Sequence, residues 1–115
     1  MTDPVAATPP AAGELPWQNA LDELARRHDF SQALGGASAV AKHHEQGRLT
    51  IRERIDGLVD AGSFREVGSL TGQGRYEHGR LTGVTPAPYV MGLAQIDGRP
   101  VAVGGEDFTV RGGTS

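Results

Sequence analysis

GRLTIRERIDGLVDAGSF, residues 47–64, is the stretch that decides the fold. Thr50 precedes an apolar run and Glu53 follows it by three, the spacing of a capping box. The Thr hydroxyl can accept the Glu53 N–H, while the Glu53 carboxylate returns to the Thr50 N–H. The spacing therefore predicts a helix from Thr50 to Ala61. Ile51, Ile55, Leu58 and Val59 form one stripe at helical period. Arg52, Glu53, Arg54 and Asp56 face elsewhere, and Gly62 supplies a left-handed stop.

Upstream the pattern stays helical. Trp17, Leu21, Leu24 and Ala25 recur on one face, with Pro16 in the first turn. The stripe fades at Asp29 and Gly35-Gly36 is expected to end it. A shorter helix is predicted over residues 38–46, with Ala37, Val40 and Ala41 as a weak apolar face and Gly47 closing it. Residues 1–14 are rich in Pro and Ala and hold almost nothing to bury, which reads as a disordered tail. Residues 15–62 then form a helical N-terminal segment.

Downstream the period changes. Residues 63–70 alternate and read as a short strand or extended arm. Residues 71–85, TGQGRYEHGRLTGVT, are polar with four glycines and read as a long loop. Residues 90–96 and 100–104 flank Asp97-Gly98, the strongest two-residue hairpin signal, so they are expected to pair antiparallel through a type I′ turn with Arg99 facing solvent. Gly104-Gly105 reads as a break or bulge. Residues 107–110 read as a third β-like run. The fold class is α+β.

Composition bounds the rest. The chain has 115 residues, of which Leu, Ile, Val and Phe make up 24, so a core is possible but thin. Net charge is -3 and pI about 5.7, which argues against nucleic-acid binding. The acid excess lies wholly in residues 1–62; residues 63–115 are balanced. Cysteine is absent, removing disulfides, thiolate nucleophiles and Cys-ligated zinc. No apolar run is long enough to span a membrane, and the start has no basic or apolar region of a secretory signal. A cytoplasmic setting is expected.

Local chemistry is sparse. His43-His44 are adjacent, about 100° apart on a helix, and cannot chelate one ion; Glu45 and His28 add no ligand spacing. His78 and Glu77 beside Tyr76 could form an acid/base pair, but a mobile polar loop is the plainer reading. No catalytic residue and no metal site is assigned. Gly112 and Gly113 are the best candidates for a binding role: consecutive glycines admit close backbone approach, and their N–H groups can form an anion nest. The competing reading is a simple turn. Gly112-Gly113-Thr114-Ser115 is also how a strand enters a helix, so the chain is expected to be a fragment that stops before one.

Two stretches carry a family resemblance. Residues 47–64 resemble the "GKLTARERI…LLD.GSF" signature of the carboxyltransferase (β) subunits of biotin-dependent acyl-CoA carboxylases. Residues 96–114, IDGRPVAVGGEDFTVRGGT, are similar to that family's "IDGRPV…DFTV.GGS". Ile51, Arg48 and Thr114 are mild departures from its usual Ala, Lys and Ser. The resemblance covers about residues 35–115 and implies a crotonase-like fold, with residues 63–115 as the incomplete start of the CoA carboxyltransferase N-terminal domain. It implies transfer of a carboxyl group from carboxybiotin to the α-carbon of an acyl-CoA. It implies as partners an acyl-CoA substrate, a biotin carboxylase or carrier subunit and, at full length, further copies of the same subunit. No cofactor is assigned to this chain itself; carboxybiotin and acyl-CoA belong to the full-length enzyme. Gly112, Gly113 and Thr114 match the strand exit near the CoA pocket and are expected to contact acyl-CoA. The family's "SGGAR"-like oxyanion segment does not occur in this sequence, so the fragment alone is expected to be inactive. Two alternatives are a short assembly module that binds full-length subunits, and a piece of a crotonase-fold CoA hydrolase or isomerase.

Overall fold

The structure, a computed structural model, describes residues 16–114. The expected tail at residues 1–14 lies outside them. Three helices come first: α1 (Gln18–Gln32), α2 (Ala37–Glu45) and α3 (Ile51–Leu58). Five strands follow: β1 (Arg65–Val67), β2 (Gly72–Glu77), β3 (Arg80–Pro86), β4 (Tyr89–Ile96) and β5 (Arg99–Glu106). β1, β4 and β5 form one antiparallel sheet with β4 in the centre, and β2 and β3 form a separate hairpin.

The helix over residues 47–64 begins as its sequence dictates. Thr50 Oγ1 accepts the Glu53 N–H at 3.2 Å and the Glu53 carboxylate accepts the Thr50 N–H at 2.9 Å. The end differs from expectation. The helix stops at Leu58, because Val59 turns extended and the Asp60 N–H leaves to bond the Gln95 carbonyl at 2.8 Å. Gly62 does hold φ +73, but it shapes the return at 60–63 rather than capping the helix. Leu58 consequently faces solvent, while Ile55 is the buried anchor.

α3 lies on one face of the sheet. Val90, Gly92 and Ala94 of β4 are buried there. The glycines set the spacing: a β-carbon at Gly105 would strike Ile51, and one at Gly92 would strike Arg65 and Phe64. Arg52 reaches from α3 to grip Glu66 of β1 with two bonds, 2.8 and 2.9 Å. The opposite sheet face leaves Val67, Tyr89, Met91 and Leu93 exposed.

The β4–β5 hairpin forms as expected. Ile96 pairs with Arg99, Asp97 and Gly98 hold φ +50 and +76 as a type I′ turn requires, and Arg99 is exposed. Both turn amides are held from outside, by the two oxygens of the Asp60 carboxylate at 2.8 Å each. β5 continues through Gly104-Gly105 to Glu106, so the expected break is absent. The missing side chains instead let Tyr89 and Met91 cross one face and Ile51 the other.

Other segments differ from expectation. Residues 71–85 are not a loop but the β2–β3 hairpin, closed by His78 and Gly79 at φ +50 and +76, with a register shift between Arg75 and Tyr76. Leu81, 1% exposed, anchors it beneath α1. Residues 107–110 are a turn, not a strand, because the Asp107 carboxylate bonds the amide and hydroxyl of Thr109 at 2.9 and 2.6 Å. Helix α1 ends before Gly35-Gly36: Ala33 caps it and Leu34 takes the left-handed position at φ +55. The α1 stripe also faces outward. Trp17 is 56% exposed, and Leu21 and Leu24 lie open beside it. The helix docks through its polar side, Arg26 bonding the Leu81 carbonyl and Arg27 the Tyr76 hydroxyl. In α2, starting one residue earlier than expected, Val40 is half-buried while Ala37 and Ala41 are exposed.

Candidate functional site

After β5 the chain passes a buried carboxylate and three left-handed residues in succession. Asp107 is 1% exposed and its N–H bonds the Pro88 carbonyl at 2.9 Å. Thr109 relays this anchor outward: its hydroxyl donates to Asp107 and accepts the Gly35 N–H at 2.9 Å. The α1–α2 corner is thereby tied to the 107–110 turn. Gly35 makes the approach possible, since a β-carbon there would overlap the Thr109 carbonyl.

Arg111, Gly112 and Gly113 follow at φ +45, +63 and +81 in a 3-10 turn. The Gly113 N–H bonds the Val110 carbonyl at 2.8 Å. The Thr114 N–H and hydroxyl both bond the Arg111 carbonyl, at 3.2 and 2.7 Å. The Gly113 amide of the expected anion nest is thus spent inside the turn, as is the Thr114 amide beside it. Gly113 lies against the Phe108 ring, whereas Gly112 opens onto free space. The three residues expected to contact substrate are contiguous, at the surface, and adjoin a cleft.

That cleft has a volume of about 400 Å³ and lies between the α1–α2 corner, the β2–β3 hairpin and the 107–111 turn. Phe30, Val84 and Val110 form its apolar part, and Arg75 and Arg111 its charged part. Arg75 bonds the Thr85 hydroxyl at 2.7 Å and lies across Gly83, where any β-carbon would displace it. Neither arginine stood out in the sequence. The one available signal was at residues 107–113: Asp-x-Thr marks a side-chain-bonded turn, and the two glycines after Arg111 allow a left-handed run.

His43 and His44 do structural work. His43 Nε2 bonds the Leu49 carbonyl at 2.9 Å and His44 Nε2 bonds the Glu53 carboxylate at 2.6 Å, so both tie α2 to the entry of α3. Glu53 is pulled down to about 2, first by the His44 hydrogen bond and then by the Thr50 amide and hydroxyl. Tyr76 bonds Arg27 at 3.0 Å, raising the guanidinium above its usual value. Glu77 and His78 are exposed at the hairpin tip. Among the described residues no three His, Cys, Asp or Glu side chains gather as a metal site, and no helix is long and apolar enough to cross a membrane.

The carboxyl transferase domain family matches residues 42–115. The methylmalonyl-CoA carboxyltransferase 12S subunit of Propionibacterium freudenreichii subsp. shermanii is 40% identical over 96 residues, covering 83% of this chain and 18% of that subunit. The propionyl-CoA carboxylase beta chain of Saccharopolyspora erythraea is 38% identical over 118 residues, covering 98% of this chain and 21% of the relative. The crystal structure of transcarboxylase 12S, a hexamer with methylmalonyl-coenzyme A and methylmalonic acid bound, superposes with a TM-score of 0.71 at 37% identity, over 88% of this chain and 20% of that one. The chain spans about a fifth of the length of these relatives.

Proposed function

The chain belongs to the carboxyl transferase domain family, and we propose that it supplies the N-terminal part of an acyl-CoA carboxylase carboxyltransferase subunit. Its α+β fold is a partial crotonase-like domain of the kind found in the 12S subunit. The proposed reaction moves a carboxyl group from carboxybiotin, carried by a partner subunit or domain, to the α-carbon of an acyl-CoA. In this reading residues 15–62 are a helical lead-in, residues 63–115 begin the CoA-binding domain, and the setting is cytoplasmic. At full length the subunit assembles with further copies of itself. The observation that carries the reading is the family match over residues 42–115, which takes in the capping box of α3 and the β4–β5 hairpin.

The role of this chain in the reaction is positional. α3, clamped to β1 by Arg52–Glu66 and to the hairpin by Asp60, fixes the sheet from which the Gly112–Thr114 turn emerges. That turn, with Gly112 open, is the segment proposed to touch acyl-CoA. Stabilising an enolate needs oriented N–H donors, and losing a single such donor costs roughly 10²–10³ in rate. No SGGAR-like oxyanion segment occurs in these 115 residues, and the Gly113 and Thr114 amides are spent inside their own turn, so the 115-residue chain by itself should transfer no carboxyl group.

A chimaera tests this directly. Residues 42–115 replace the matching segment of the 12S subunit, and transfer to propionyl-CoA is measured. Activity within about tenfold of the parent supports the reading. A chimaera that assembles as the parent does but transfers nothing overturns it. Turnover by the 115-residue chain alone, removed by Gly112→Trp and Gly113→Trp, would make it a complete enzyme instead. The outward apolar stripe of α1 favours a second reading, an assembly module that binds full-length subunits; co-purification with such a subunit, lost in Leu21→Asp, tests it.

A further inference from the structure

We infer that the cleft between the α1–α2 corner, the β2–β3 hairpin and the 107–111 turn binds a phosphate group through Arg75 and Arg111. The argument starts from charge. The chain is net acidic, with 14 carboxylate residues against 11 Lys and Arg. Yet among the described residues this cleft is lined by two arginines and no carboxylate. The salt bridges among the described residues join His44 to Glu53 and Arg52 to Glu66, and neither involves Arg75 or Arg111. Two cations with no ion partner among the described residues, on one concave surface, suit a divalent anion, and a phosphate monoester carries about that charge near neutral pH.

Geometry adds preorganisation. Guanidinium groups match the oxygens of phosphate with paired N–H donors. The Arg75 fork is held before any ligand arrives, by the Thr85 hydroxyl on one nitrogen and by the bare backbone of Gly83 beneath. Only one of its five donors is thereby used. Arg111 is fixed at the backbone instead. Its φ of +45 is rare for a residue with a β-carbon, and the Thr114 amide and hydroxyl on its carbonyl hold it there. Conformations of this kind concentrate at ligand sites. The apolar wall of Phe30, Val84 and Val110 lowers the local polarity, which strengthens an ion–ion contact. A volume of about 400 Å³ exceeds what phosphate alone fills, so there is room for the organic group that bears it.

The phosphate can come from two sources, a free phosphate ion or the phosphate ester of a nucleotide such as CoA. The site itself stands on the cleft; CoA as the source rests on the carboxyltransferase reading. Amide and arginine side-chain resonances of the 115-residue chain are followed by NMR during titration with inorganic phosphate, adenosine 3′,5′-bisphosphate, CoA and dephospho-CoA. The expected result is saturable shifts at Arg75 Nε–H, Thr85 and Arg111, weakened about tenfold by Arg75→Gln and by Arg111→Gln and unchanged by Arg99→Gln on the distant hairpin. Gly83→Ala, which keeps the charge but crowds Arg75, should weaken binding as well. CoA and the bisphosphate binding tighter than dephospho-CoA would assign the 3′-phosphate to the site. Phosphate binding there with CoA no tighter supports the site and removes CoA as its source, leaving carboxyl transfer to be judged by the chimaera alone. Three outcomes overturn the inference: no localised shifts at millimolar ligand, equal weakening by Arg99→Gln, or a spectrum lacking the dispersed strand amides that the cleft requires.

Discussion

Removing the Asp60 carboxylate should unlatch the β4–β5 hairpin from the helical segment. The carboxylate holds the Asp97 and Gly98 amides at 2.8 Å each, across 37 and 38 residues of chain. Hydrogen bonds to a charged acceptor contribute about 1.5–3 kcal/mol each, and the lower figure applies because Asp60 is only half-buried. Asp60→Ala should therefore cost about 3 kcal/mol in total. Asp60→Asn keeps one acceptor oxygen and should cost about half as much. With an unfolding entropy of about 2.1 cal/mol/K per residue, a 115-residue chain loses about 4 °C of Tm per kcal/mol. The expected shifts are thus about 12 °C for Ala and about 6 °C for Asn. Thermal unfolding followed by circular dichroism measures them, and hydrogen exchange at the two amides locates the effect. Equal costs for Ala and Asn, or unchanged exchange at Asp97 and Gly98, would refute the two-bond latch.

Three other predictions follow from specific contacts. Gly35→Ala places a β-carbon in the Thr109 carbonyl and should destabilise by about 3 kcal/mol; denaturant titration checks it, and a neutral result would mean the corner is not packed on the 107–110 turn. Thr50→Ala removes the α3 cap and should cost about 1 kcal/mol, read by the same titration. Because Glu53 ionises near 2 in the folded chain instead of 4.5, its contribution is full above about pH 4.5 and is lost as pH falls from there toward 2. An NMR titration should place its carboxyl midpoint near 2, and Glu53→Gln should flatten the acid limb of the stability curve.

The parts of this fold legible in the sequence are those whose signals are local. Thr50 and Glu53 stand one helical turn apart, and Asp97-Gly98 specifies its own turn by backbone preference alone. The β2–β3 hairpin was hidden because its glycines serve contacts rather than flexibility: Gly74 lies under Arg27 and Tyr76, and Gly83 lies under Arg75. The end of α3 was misplaced for a related reason. Its last turn gives way to bonds with Gln95 and the hairpin, partners over thirty residues away. At the candidate site the glycines of residues 112–113 were visible, but Arg75 and Arg111 meet only through the register of one hairpin and the turn after another. Gly35 and Thr109, 74 residues apart, are a pairing that no local pattern announces.

The outward stripe of α1 has a spectroscopic consequence. Trp17 is the chain's one tryptophan and sits in water in the folded state. Its emission should be red-shifted before unfolding as well as after, so intrinsic fluorescence is nearly blind to the melting of the sheet. The same exposure makes the indole a selective reporter. A blue shift of its emission in the native protein would signal that something has settled over Trp17, Leu21 and Leu24, with no label attached.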